Sequence, residues 1–149
     1  MKYFAYGSYM SLDFMRELCP SVHFVMLAQL PNFHIEFRRY SEEYQGGVSS
    51  IIQAPGEMIK GVLYDVDEKE FGPLDILESV PQGVYRRDTF LVFGEDGQWH
   101  HAQLYRLTNP AGPYAPAPKY LDQMIAGAKE HGLDPEYTAK LVALRQSLG

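Results

Sequence analysis

The sequence contains a single cysteine, Cys19, and that scarcity excludes several classes at once. One thiol builds neither an internal disulfide framework nor a cysteine-rich metal site, so a reducing, cytoplasmic compartment is the expectation. No apolar run approaches the ~20 residues of a membrane-spanning helix. The opening MKYFAYGSYM has too short an apolar part for a secretory leader before Gly7 interrupts it. Basic residues never run beyond the pairs Arg38-Arg39 and Arg86-Arg87, and the net charge is −6, which disfavours a nucleic-acid surface. Also missing are GxxxxGK with a following Ser or Thr, GxGxxG, HExxH and GxSxG. Of the five histidines only His100 and His101 adjoin, and neighbours on a strand point to opposite faces, a poor arrangement for sharing one metal. The expectation is no metal and no cofactor. Cys19 closes an amphipathic helix and reads as a small buried apolar residue rather than a nucleophile.

What is present is ordinary for a globular chain: 149 residues, 46% apolar and 21% charged, enough for one domain spanning 1–149 with a real core. Aromatic residues are plentiful at 13%, with eleven tyrosines, which suits either a β-rich core or a site lined by rings. Lys2–Tyr6 favours a strand and stops at Gly7-Ser8. Ser11 can cap a helix from about Leu12 to Cys19, with Met10 and Met15 placed as a hydrophobic staple and Pro20 ending it. Further strands are expected at Val22–Leu30, at Phe33–Phe37 by alternation, at Val48–Ala54 before the Pro55-Gly56 turn, and at Gly61–Val66. Val84–Phe93 and Gln98–Leu107 flank a hairpin signal at Glu95-Asp96-Gly97. Asn109–Pro118 holds four prolines and reads as a surface loop. Two helices close the chain, Lys119–His131 with Gly132 at its end, and one started by Asp134-Pro135. Successive strands mostly follow one another directly, so an antiparallel or mixed sheet, or a small barrel, fits better than a doubly wound parallel sheet.

The segment Lys60–Arg87 is the most informative. It reads strand, short helix, loop, strand, with Asp67 and Glu70 as a capping box and the regular helix beginning near Pro73. Asp75 and Glu78, three apart, share a face with Phe71 and Leu74. A carboxylate on an otherwise buried stripe is paired, or exposed at a cleft, or held at a raised pKa for proton transfer. A second feature precedes it. Strand, glycine turn and helix start, in that order at Tyr6–Ser11, direct free N–H groups toward one small space, which suits an anion.

Three ordered pieces resemble the gamma-glutamylcyclotransferase family. They are Tyr6-Gly7-Ser8; Gly46-Gly47 with Ser50–Gly56 and Gly61-Val62; and Leu74-Asp75-Ile76-Leu77-Glu78 followed by Gly83-Val84-Tyr85. Pro118-Lys119-Tyr120 and Gly127–Leu133 followed by Tyr137 resemble the family's closing helices, so the likeness runs over nearly the whole chain. The resemblance implies an α+β fold on a small β-barrel or mixed sheet of about six to seven strands with flanking helices. It implies intramolecular aminolysis of a γ-glutamyl amide, releasing 5-oxoproline and an amino acid or amine. Glu78 falls on the family's general acid/base. Tyr6, Gly7, Ser8, Tyr9, Met10, Tyr85 and Tyr120 are the expected substrate-binding residues, with the N–H groups of Gly7 to Met10 holding a carboxylate. Asp75 is expected to brace the loop by accepting backbone N–H groups, and Arg86-Arg87 to attract a second carboxylate or to form surface ion pairs. The implied partner is a small γ-glutamyl molecule, without nucleic acid or membrane, for a monomer or homodimer.

Two positions depart from the family pattern. Tyr9 stands where asparagine usually follows Tyr-Gly-Ser, which makes the pocket smaller or differently polar. Ser79 stands where glycine commonly follows the glutamate. These departures motivate an alternative reading, a non-catalytic member that binds a small carboxylate at the Tyr6–Tyr9 loop.

Overall fold

The computed structural model describes all 149 residues. Five strands close into a barrel in the order β1-β3-β2-β4-β5: β1 (Lys2–Ala5), β2 (His23–Ser41), β3 (Gly46–Asp65), β4 (Tyr85–Gly94) and β5 (Trp99–Leu107). Neighbours run antiparallel except where β1 meets β5 in parallel at Tyr3 and Gln103, the pairing that shuts the barrel. Four helices accompany it: α1 (Leu12–Leu18), α2 (Phe71–Leu77), α3 (Pro118–Glu130) and α4 (Pro135–Ser147). None is long and apolar enough to cross a membrane.

The strand count is lower than the expected seven or so because two pairs of expected strands are continuous. Pro31-Asn32 and Pro55-Gly56 read as breaks, yet they lie opposite each other within the long β2–β3 ribbon. Pro31 stays in register with Met58, the pairing resumes at Phe33 and Gln53, and the residues between form an irregularity. Asn32 takes a left-handed backbone and its side chain accepts from the Gly56 N–H at 3.0 Å. A bulge absorbs the missing proline donor that a regular ladder would not.

Alternation along β1 separates two packed regions. Phe4 and Tyr6 join Leu30, Ile59, Leu63 and Leu104 in a cluster drawn wholly from the barrel strands. Tyr3 and Ala5 join Tyr64, Met10, Met15, Phe71, Leu74, Leu121 and Met124, the layer between barrel and helices. Ser11 caps α1 as expected, its hydroxyl accepting from the Phe14 N–H, and Asp134 caps α4 through the Tyr137 N–H. The helix carrying Asp75 begins earlier than expected, at Phe71, so Gly72-Pro73 lies inside its first turn. No capping box forms there. Asp67 accepts from the Lys69 N–H over a short 3-10 turn, while the Glu70 carboxylate accepts from the Ser21 N–H. α3 packs tightly on the 3-10 turn Ser8–Met10: a Cβ on Gly127 would fall 2.3 Å from the Met10 carbonyl carbon. Only glycine permits that approach, and it fixes the turn that begins the site.

Candidate active site

The end of β1, the Gly7 turn, α1, the distal part of β2 with the start of β3, the end of α2, the start of β4, the end of β5 and the start of α3 line one cavity of about 410 Å³. Tyr6, Gly7, Ser8, Tyr9, Glu78, Tyr85 and Tyr120 all line it. Residues remote in sequence meet there because the barrel brings residues of all five strands, with those of α1, α2 and α3, to one rim.

Glu78 is the residue that ends α2. The helix closes in a Schellman arrangement: the Ser79 N–H donates to the Ile76 carbonyl at 3.0 Å and the Val80 N–H to the Asp75 carbonyl at 3.0 Å. Ser79 takes the left-handed conformation this motif requires, with φ of 55°. The motif turns the chain away and leaves the half-buried Glu78 side chain at the cavity wall. Burial pushes its carboxyl up to about 7; the facing Tyr9 hydroxyl and the Arg39 charge pull in the opposite direction and are outweighed.

The wall around it is phenolic. Burial, first among the causes, raises Tyr6, Tyr9, Tyr85 and Tyr120, so these hydroxyls stay protonated. They are also held in place. The Tyr6 hydroxyl donates to the Tyr105 carbonyl, Tyr120 and Ser49 share a hydrogen bond at 2.7 Å, and the Tyr85 hydroxyl points to the Ser49 carbonyl at 3.4 Å. Gly7 has no room for a side chain: a Cβ there would fall 2.4 Å from the Tyr120 hydroxyl oxygen and 2.9 Å from that of Ser49. The backbone at Gly7 therefore forms part of the cavity surface.

Met10 is a correction. It is fully buried, its N–H donates to the Gly7 carbonyl at 3.1 Å, and its own carbonyl accepts from Tyr64. It supports the turn from behind and does not line the cavity. Asp75 also differs from expectation. Its partners are side chains, not backbone N–H groups: Arg87 donates to both carboxylate oxygens, and the Tyr105 hydroxyl donates to one. Arg87 additionally donates to Gln103 and lies over the Phe71 ring, so it is unavailable to a substrate carboxylate, while Arg86 pairs with Asp88 at the surface.

Arg39 is the site residue the sequence reading missed. It lines the cavity and stands over the Tyr85 ring, 5.7 Å from its centroid. The alternation Phe33, Ile35, Phe37 carried two residues further would have put Arg39 on the core side. Ser49 and Tyr105 were missed too, and no local motif marks them. Nowhere does the structure bring three potential metal ligands together. Cys19 is buried, and burial pushes its thiol up to about 11, away from thiolate chemistry.

Comparison with known proteins is consistent with this geometry. The sequence profile of the AIG2-like family matches residues 58–141. The gamma-glutamylcyclotransferase of Mus musculus is 34% identical over 147 residues, covering 95% of this chain and 77% of the mouse protein. That of Homo sapiens is 33% identical over 147 residues, with coverage of 95% and 77%. A solved structure of a gamma-glutamyl cyclotransferase superposes with a TM-score of 0.91 at 31% identity, covering 96% of this chain and 86% of that one.

Proposed function

The chain belongs to the gamma-glutamylcyclotransferase family, and from that membership we propose that it is an enzyme that cyclises a γ-glutamyl amide to 5-oxoproline with Glu78 as general acid/base. The observation that carries the reading is Glu78 itself: a carboxyl on the cavity wall, pushed up to about 7 by burial, in the same cavity that the buried turn at Gly7-Ser8 lines.

The reaction needs no protein nucleophile. The substrate's α-amine attacks its own γ-carbonyl, a new C–N bond closes the ring, and the amide C–N bond breaks. Folding the substrate into that conformer supplies much of the rate, because the step is already intramolecular. The attacking nitrogen loses two protons between ammonium and lactam, and the leaving nitrogen gains two. A carboxyl titrating near 7 can take and return each in turn. The substrate α-carboxylate is received by N–H groups at Gly7 and Ser8, in the concave turn that α3 braces. Neutral phenols of Tyr6, Tyr85 and Tyr120 give polar contacts without placing a second negative charge beside Glu78.

We read residues 1–149 as one domain with one complete site, so a monomer suffices for the chemistry. A cytoplasmic setting suits a chain whose lone thiol is buried. A panel of γ-glutamyl dipeptides and amines assayed for 5-oxoproline tests the activity. Formation of 5-oxoproline from at least one supports it. Ligand binding without turnover across the panel favours the carboxylate-binding alternative instead.

A further inference from the structure

Arg39 has no carboxylate within ion-pair distance, although its charge reaches Glu78 and its side chain approaches the Tyr85 hydroxyl. Arg16, Arg38, Arg86, Arg87, Arg106 and Arg145 each approach an acidic side chain within ion-pair distance. Arg39 forms no such pair, although it is half-buried and faces the cavity. A guanidinium there has already lost part of its hydration and retains donors in a planar fork that matches a carboxylate. The Tyr85 ring beneath it limits its sideways freedom.

Its place in the cavity differs from that of the Gly7 turn. Ser49 Oγ crowds Gly7, the Ser49 carbonyl faces the Tyr85 hydroxyl, and Arg39 lies over the Tyr85 ring. Ser49 and Tyr85 thus link the turn to the guanidinium through successive contacts. Glu78, whose carboxyl feels both Tyr9 and Arg39, lies within reach of both regions. A γ-glutamyl amino acid carries two carboxylates, one on each side of the scissile amide. A γ-glutamylamine carries only the glutamyl one.

We propose that Arg39 binds the carboxylate of the departing amino acid, and thereby makes γ-glutamyl amino acids better substrates than γ-glutamylamines. This assignment rests on the cyclotransferase reading of the same cavity. Arg39 is a specificity residue: it fixes the leaving group beyond the scissile bond and does not itself carry a proton.

The test uses two ligands that differ by one carboxylate, γ-glutamyl-L-alanine and γ-glutamyl-ethylamide. Binding is measured calorimetrically on E78Q and on E78Q/R39Q, and turnover on the wild type and R39Q. The E78Q protein is expected to bind the alanine compound about 10- to 100-fold more tightly than the ethylamide, the range of a charge-assisted pair. R39Q removes that preference. Losing the Arg39 charge also lifts the Glu78 carboxyl, so turnover is read at a pH where Glu78 is ionised in both proteins. There R39Q raises KM for the alanine compound by a similar factor while the ethylamide KM stays within about 3-fold, and an unchanged circular-dichroism spectrum shows the variant to be folded. R39K restores part of the preference. Equal affinity for the two ligands in the E78Q protein overturns the proposal, as does equal weakening of both by R39Q. Preserved discrimination in binding with no 5-oxoproline from the wild type instead overturns the catalytic reading and leaves the Arg39 assignment standing.

Discussion

Arg87 grips Asp75 at both carboxylate oxygens, at 2.8 and 3.2 Å, and so ties α2 to β4 one turn before Glu78. The pair is partly shielded, and the Tyr105 hydroxyl completes the carboxylate's partners. It makes Asp75 a positioning residue. D75A strands a half-buried guanidinium and should cost about 1–3 kcal/mol of stability. R87A should do the same, and the double variant should lose less than the sum of the two. Urea titration of the four proteins gives the coupling energy directly; strict additivity would mean the contact contributes nothing. Turnover should fall in each single variant through kcat more than KM, because the effect reaches the substrate only through Glu78.

Ser79 provides a test of backbone strain. A non-glycine residue in the left-handed region costs on the order of 1 kcal/mol, and glycine relieves it at a smaller cost in unfolded-state entropy. S79G should therefore raise Tm by about 1–3 °C with turnover retained. S79V should lower Tm, because a β-branched side chain fits that conformation worst. An S79G protein that melts below the wild type would contradict this account of the turn.

The pH dependence follows from Glu78. The proposed role of base requires Glu78 to be ionised in the free enzyme, so kcat/KM should rise with pH along a limb centred near 7. The Tyr9 hydroxyl holds that value down, so Y9F should move the limb to higher pH. A limb that stays in place in Y9F would show that the phenol does not reach the carboxylate in solution.

Glu78 also links activity to stability. Its folded-state pKa is raised above the ordinary glutamate value near 4.3, so its contribution is fully present below that value and is lost as pH rises through about 7. E78Q removes the ionisation. It should abolish 5-oxoproline formation while stabilising the protein at pH 8 by on the order of 2 kcal/mol, with the advantage fading toward pH 4. Denaturant midpoints at the two pH values, with 5-oxoproline quantified in parallel, check both halves. Full turnover in E78Q would remove Glu78 from the mechanism.

Much of the site was legible in order along the chain. The turn at Tyr6–Ser8 and the acids on the short helix were marked by local signals, Tyr85 and Tyr120 by the family resemblance, and each lines the cavity or braces it. Met10 was misread because a 3-10 turn reverses the use of its N–H: a helix start frees that donor, whereas here it closes onto Gly7. The proline breaks were misread for a related reason. Propensity sees a missing donor, but whether it ends a strand depends on what lies across from it, and the two irregular stretches of β2 and β3 absorb each other.

Sequence alone determined the α+β class, the family, and the carboxylate of Glu78 on the face of a short helix, because hydrophobic period, turn residues and motif order are local properties. Only the tertiary structure decided what each charge does. Asp75 and Arg87 neutralise each other between α2 and β4, while Arg39 faces the cavity with no carboxylate at ion-pair distance. Glu78 is raised toward neutrality because the cavity walls that bury it are drawn from all five strands and from α1 and α3. Desolvation and ion pairing depend on which distant segments close around a group, and barrel closure is the step that brings them together.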